Sequence, residues 1–329
     1  MAGRDPMNRY ARQIILPELG QTGQDSLSNS HVLIIGAGGL GVPVLQYLVG
    51  AGVGKITLVD PDIVEQSNLH RQTLYGTKWI GQPKVLAAQK ILHDLNPECE
   101  IDARHTTLDP ANAPALVASV DLVLDCADSF AASYILSDIC LNTQTPLISA
   151  SALGLSGYVG GFCASAPSLR AVFPDLPDSA ASCATAGVLG PVVGTLGAMQ
   201  AQMALSVLLK FEPSPLGQMV QHDAKSFRTS SFRFDNAPEP TGDHFAFVAQ
   251  SQFTKDDMIV ELRDEVESPT PAHPDAIRSS VADISRLAPP APNQRVVMCC
   301  RSGLRSWQAA TKFKQKWDGQ IVVAALGDN

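Results

Sequence analysis

The chain has 329 residues, 45% of them hydrophobic and 17% charged, with a formal net charge of −8 at pH 7. That length exceeds what one core normally supports, so two domains are expected. The acidic balance, with no basic run or tail, argues against nucleic acid or an anionic membrane as partner.

Met1 to Asn8 is polar and no apolar stretch follows, so no secretory leader is expected. Val32 to Ile35 is a short apolar run that reads as a buried strand, leading into GAGGLG at Gly36 to Gly41 and a helix beginning near Val42. This layout sets backbone N–H groups and a helix N-terminus against phosphate. Gly36 permits the tight turn, Gly38 the close approach of phosphate, and Gly41 the packing of helix on strand, with Gly39 between them. A second strand, KITLVD, ends in Asp60 at the spacing of a ribose-binding acid, and on these residues alone NAD is the default ligand.

The next segments are unlike a dehydrogenase. SNLHRQ at Ser67 to Gln72 and QPK ending at Lys84 bring Asn68, Arg71 and Lys84 just past the second strand, where a neutral nicotinamide needs no cation. Two cations suit a triphosphate whose charge grows on a leaving pyrophosphate. VDLVLDCADSF gives a further buried strand whose carboxyl end presents Asp125 and Asp128, and a carboxylate beside a triphosphate is most simply a magnesium ligand.

Ser179 to Leu209 is uncharged and ends in an apolar run long enough to span a membrane. Gln200, Gln202 and its Gly and Pro residues point instead to a buried helix, at the core or at a dimer interface. QMVQHDAKSFRTSSFRF reads as antiparallel strands, and the polar, Pro-bearing NAPEPTGDH as a linker. The expected organisation is a Rossmann-like, mostly parallel α/β sheet over residues 1–235, a linker over 236–246 and a small α/β domain over 247–329.

Seven scattered cysteines imply a reducing, cytoplasmic setting. Cys99, Cys126, Cys140, Cys163 and Cys299 have the neighbours of ordinary buried residues. Cys183 lies in a small-residue stretch before a glycine and a helix, where a thiol can be exposed and its thiolate favoured. RVVMCCRSGLRSW reads as a strand, a loop of Cys300, Arg301, Ser302, Gly303, Leu304 and Arg305, and a helix from about Ser306. Inward loop N–H groups, with Arg301 and Arg305, would stabilise a thiolate or persulfide at Cys300.

RYARQI, GAGGLG, LVDPDIVEQSNLHRQ, GQPK, DCAD and SCATAGVLGP, in this order, resemble the E1-like (ThiF/MoeB/HesA) adenylating enzymes of sulfur-carrier proteins, of the molybdopterin-synthase and thiazole-biosynthesis types. The resemblance covers most of the first ~235 residues. It implies ATP-dependent adenylation of the C-terminal glycine of a small ubiquitin-like carrier ending in Gly-Gly, with release of pyrophosphate. By position, Asp60 would hold the ribose, Ser67, Asn68, Arg71 and Lys84 the phosphate region, and Asp128 magnesium. Arg12 would reach the phosphates of the other subunit in a homodimer. Ser129 stands where an Asn usually follows the Asp. That family usually carries a structural zinc on two CxxC pairs; here Ser168 and Ala171 occupy the first pair and Asn236 to Asp243 holds no cysteine. No zinc is therefore expected, and packing should hold this region together.

CRSGLRS resembles the active-site loop of rhodanese-type sulfurtransferases, which carry sulfur as a cysteine persulfide, and it is shorter than the loop of the related phosphatases. MIVELRDEVE resembles the strand that bears their Arg-Asp, although the domain is shortened. In part of the adenylating family, the cysteine at the position of Cys183 joins the sulfur transfer. The combined resemblance implies adenylation followed by sulfur transfer, with a donor such as a cysteine desulfurase. A non-catalytic carrier-binding scaffold and a NAD-dependent oxidoreductase are the alternatives.

Overall fold

The computed structural model describes residues 9–176, 187–241, 244–291 and 293–327, so Cys183 lies outside the described residues. Two short helices, α1 (Ala11–Ile14) and α2 (Gly20–Ser28), precede β1 (His31–Ile35), the glycine loop and α3 (Gly41–Ala51). There follow β2 (Lys55–Val59), α4 (Lys84–Leu95), β3 (Glu100–Arg104), α5 (Ala113–Val117), β4 (Leu122–Asp125) and α6 (Phe130–Thr143). β5 (Leu147–Leu153), β6 (Ser156–Phe162), α7 (Leu169–Val172), α8 (Gly190–Leu208), β7 (Gln218–Asp223) and β8 (Arg228–Arg233) complete the first sheet and its helices.

The strand order is β3-β2-β1-β4-β5-β6-β7-β8, parallel from β3 to β5 and antiparallel from there to β8. The apolar runs of β1, β2 and β4 are buried on both faces, as a helix-covered parallel sheet requires. α3 and α8 cover one face and α6 the other. The long apolar α8 packs on α3, β5 and β6. Its buried Gln200 donates to the carbonyls of Asp125 and Ile148, at 2.7 and 3.1 Å, which ties it into the sheet.

A second, all-parallel sheet has the order β11-β10-β12-β13-β9. Its strands are β9 (Ala246–Phe247), β10 (Met258–Glu261), β11 (Ile277–Arg278), β12 (Val296–Cys300) and β13 (Ile321–Ala325), with α9 (Leu304–Lys314) after β12. α9 starts two residues before the expected Ser306, so Leu304 and Arg305 belong to the helix and the loop proper is shorter.

The described residues of the expected linker over 236–246 are docked against the core. Ala237 packs on the core, and Phe245 is buried against Trp307 with ring centroids 5.2 Å apart. Glu239 accepts bonds from the backbone N–H of Ser168 at 2.7 Å and from its hydroxyl at 2.6 Å. To the packing expected here that clamp adds a hydrogen-bonded carboxylate, which joins the two stretches where the resembled family places its cysteine pairs. Ser168 also caps α7, accepting from the Ala171 N–H at 3.2 Å. Arg170, also on α7, forks onto Asp138 at 2.6 and 2.8 Å and lies over the rings of Tyr134 and Trp307, 4.6 and 5.5 Å from their centroids. α6, α7 and α9 therefore share one core.

Candidate functional site

The glycine loop leaves the carboxyl end of β1 with Gly36 at φ +100°. A Cβ on Gly41 would lie 2.0 Å from the Gly36 carbonyl oxygen, and one on Gly36 would lie 2.7 Å from that of Cys126, so only glycine closes this turn. Gly39 abuts Val193 of α8. Above Gly38 a Cβ would meet only the Gln72 amide, at 3.6 Å, so this backbone is open to a ligand.

Asp60, at the end of β2, is buried and spans the loop: one carboxylate oxygen accepts from Ala37 N–H and the other from Asp62 N–H, both at 2.7 Å. Burial pushes its pKa up, opposed by Lys84 and these two donors. Tyr75 donates its hydroxyl to the Ala37 carbonyl at 2.9 Å. The residue expected to hold ribose thus also fixes the glycine loop. Asp62, Gln72 and Tyr75 are neighbours of the site that the motif reading did not single out; only the second acid of VDPD was visible as a signal.

The segment 67–72 lies between this loop and the start of α8, where a Cβ on Gly190 would meet the His70 carbonyl at 2.6 Å. Asn68 is buried and its amide donates to Ser67 Oγ at 3.3 Å, while Ser67 donates to Glu65 at 3.0 Å. Arg71 is half-buried, donating to the Ser67 carbonyl at 3.1 Å and lying 2.9 Å from His70 Nε2. Lys84 opens α4, its ammonium 2.8 Å from Asp62.

Of the two acids at the carboxyl end of β4, Asp125 and Asp128, only Asp128 faces outward. Asp125, expected at the strand end beside the ligand, is wholly buried and accepts from Ser133, Ser149 and Ala127 N–H at 2.6, 2.8 and 3.2 Å. It shapes the loop that carries Asp128 and Ser129. A single exposed carboxylate fits magnesium, which keeps waters and takes most ligands from substrate phosphates. Among the described residues no three His, Cys, Asp or Glu side chains gather as a metal cluster.

Burial raises the Asp125 pKa from 3.8 to about 6. The folded state therefore holds this proton more tightly than the unfolded one. Its contribution to stability is full below the unfolded carboxylate value of about 4 and is lost as pH rises through about 6. Ionised Asp125 then costs on the order of 3 kcal/mol at neutral pH. In urea titrations from pH 4.5 to 7.5, Asp125→Asn is expected to lose this pH dependence, so that wild type gains on the variant as pH falls; parallel curves would contradict the assignment.

Arg12 is not brought to the loop within one chain. It stands exposed on α1, whose Gln13 donates to the Ala51 carbonyl at 2.8 Å, at the end of α3 opposite the glycine loop.

The Cys300 loop has the inward geometry expected of it. Sγ accepts from Gly303 N–H at 3.1 Å and Ser306 N–H at 3.3 Å, and lies 3.0 Å from Ser306 Oγ; Gly303 adopts φ +89°. Arg305, expected to lend positive potential there, is paired with Glu267 and donates to the Leu262 carbonyl at 3.1 Å, so its charge is already answered. Arg301 and Ser302 are exposed, whereas Cys300 is fully buried. A Cβ on Gly303 would sit 2.9 Å from the Phe247 ring and 3.4 Å from Ala131 Cβ, so the loop rests on the first turn of α6, just after Asp128 and Ser129. Cys99, Cys126, Cys140, Cys163 and Cys299 are free and buried.

Among solved structures, MccB of E. coli crystallised with ATP matches 71% of this chain and 74% of its own at a TM-score of 0.61 and 22% identity, a likeness of fold. PaaA gives a TM-score of 0.59 at 22% identity over 69% of this chain and 73% of its own. The chain is 43% identical over 235 residues to the adenylyltransferase and sulfurtransferase MOCS3 of Drosophila virilis, covering 70% of this chain and 52% of that protein. The Bos taurus protein of the same name is 44% identical over 229 residues, covering 67% and 49%. Uba4 of Aspergillus niger, also named adenylyltransferase and sulfurtransferase, is 43% identical over 236 residues, covering 68% and 49%. The chain thus spans about half the length of these relatives. The ThiF family profile matches residues 10–242, well over half of the sequence, and the chain belongs to the ThiF family.

Proposed function

We propose that the protein adenylates the C-terminal glycine of a small ubiquitin-like sulfur carrier with ATP, releasing pyrophosphate, and then passes sulfur to the activated carboxylate through Cys300. What carries the reading is the convergence of an open Gly38 backbone, the cations Arg71 and Lys84 and the exposed Asp128 around the carboxyl ends of β1, β2 and β4. Ligands of open α/β sheets bind at that edge. The relatives named adenylyltransferase and sulfurtransferase support it.

The carrier carboxylate is ionised at neutral pH and attacks the α-phosphorus without a general base. Asp60 holds the ribose. Ser67, Asn68, Arg71 and Ser129 orient the nucleotide, and Arg71 with Lys84 balances the charge growing on pyrophosphate. Arg12 of the partner subunit adds a further cation in a homodimer. Asp128 would hold a magnesium ion, which would supply charge neutralisation.

In the second half, the outer sulfur of a Cys300 persulfide, loaded by a donor such as a cysteine desulfurase, attacks the acyl carbon. AMP leaves and an acyl disulfide remains. A second thiol, which we assign to Cys183, attacks the Cys300 sulfur and releases the thiocarboxylate, leaving a disulfide that an external thiol reduces. The Gly303 and Ser306 N–H groups on Sγ support this role by stabilising the anionic sulfur. Free cysteines accord with a cytoplasmic setting.

The first half is tested with ATP labelled at the α-phosphorus and carriers ending in Gly-Gly. Arg71→Ala is expected to lower kcat/KM for AMP transfer by roughly 10²–10³ with unchanged melting temperature. Full activity in that variant would remove Arg71 from the machinery.

A further inference from the structure

We infer that Asp62 sets the phosphate specificity of the nucleotide site: it holds the Lys84 ammonium in the free protein and yields it only to a ligand carrying several phosphates. The inference rests on the adenylation reading and adds a residue to it.

Lys84 is the first residue of α4, where the unpaired N–H groups form the positive end of the helix. A lysine there is disfavoured unless an anion answers it. The side chain is only 6% exposed, so the ammonium emerges where its bonded partner stands; that partner is Asp62, whose own side chain is 63% exposed, while the buried Asp60 carboxylate acts on the same charge without bonding it. Among the described residues no other acceptor bonds Lys84 Nζ.

The pair is held rigidly. The Lys84 N–H donates to the Asp62 carbonyl at 2.9 Å, Val64 N–H to Gln82 and Gly81 N–H to Val64 at 2.9 and 2.8 Å, and Ile63 bridges Pro83. This clip fixes both backbones, so the pair can be broken by side-chain motion alone. On its other side Asp62 is joined through Asp60 to Ala37 of the glycine loop. A phosphate chain laid on that loop therefore runs toward the buried lysine.

The asymmetry of exposure supplies the selectivity. Water screens the Asp62 carboxylate and makes it a weak holder of the charge, though a sufficient one while no stronger anion is present. A triphosphate brings several charges into a cleft beside a helix N-terminus and outcompetes it. A monophosphate brings fewer and must bind with Lys84 still engaged.

Calorimetric titration with ATP and with AMP, without carrier, tests this in wild type, Asp62→Asn and Asp62→Ala, and in each Asp62 variant combined with Lys84→Met. Removing the competing charge is expected to tighten ATP binding roughly three- to fivefold, to leave AMP within the error of the measurement, and to have no effect once Lys84 is methionine. A purely structural Asp62 would lower the melting temperature and weaken both ligands alike. Loss or constancy of ATP affinity, an equal gain for AMP, or a gain that survives Lys84→Met would each overturn the inference. If wild type binds no ATP at all, the adenylation reading falls first and this inference with it; ATP binding without the expected discrimination removes this inference alone.

Discussion

Gly41→Ala is expected to abolish nucleotide binding and to destabilise the first sheet. The added Cβ would lie 2.0 Å from the Gly36 carbonyl oxygen, and the obstacle is backbone, which cannot swing aside. Either α3 moves off β1 or the turn opens, and both disrupt the buried packing of Val42, Leu45 and the β1 run. A cost of about 3 kcal/mol or more follows from overpacking of this severity. That corresponds to roughly 2–4 °C of melting temperature per kcal/mol for a fold of this size. Gly38→Ala is the control. Its Cβ would meet only the Gln72 amide at 3.6 Å, an ordinary contact, so it should melt like wild type while ATP binding falls. Equal ATP affinity in Gly38→Ala and wild type would show that no phosphate approaches this backbone.

Arg170→Ala is expected to loosen the second sheet from the first. Its side chain is 97% buried, and its guanidinium forks onto Asp138 and lies under the rings of Tyr134 and Trp307, so one side chain ties α7, α6 and α9. Asp138 is partly exposed and can rehydrate, which limits the electrostatic loss. The cavity beneath Trp307 and the lost ring contacts bring the cost to about 2–4 kcal/mol. Arg170→Lys should recover little, because an ammonium neither forks nor stacks as a planar guanidinium does. Cys300, buried in wild type, should then react measurably faster with a thiol reagent. Unchanged melting and unchanged Cys300 labelling in Arg170→Ala would mean that this contact does not hold the two sheets together.

Local signals carried much of this molecule. The apolar run before GAGGLG, the second strand ending at Asp60 and the strand, loop and helix around Cys300 are read directly from neighbours in sequence, since burial on both faces and glycine turns leave local marks. The antiparallel β7 and β8 and the buried α8 follow likewise, the latter because its glutamines need partners that lipid lacks.

What escaped was pairing at a distance. Arg305 looks free in CRSGLRS, yet Glu267 answers it from 38 residues away. Glu239 looks like linker, yet it clamps Ser168 across 71 residues. The Lys84 pair with Asp62 spans 22 residues and could be suspected only from the second acid of VDPD. Asp125 and Asp128 differ for a local reason that the sequence left undecided: the last strand residue points inward to Ser133 and Ser149, while the loop residue points out.

Carrier-dependent exchange of labelled pyrophosphate into ATP tests the central claim most directly, with wild type beside Asp128→Ala and a panel of small ubiquitin-like proteins ending in Gly-Gly. The account predicts exchange with at least one carrier, lost in Asp128→Ala. No exchange with any carrier by folded, ATP-binding protein would contradict it and leave a carrier-binding scaffold as the reading.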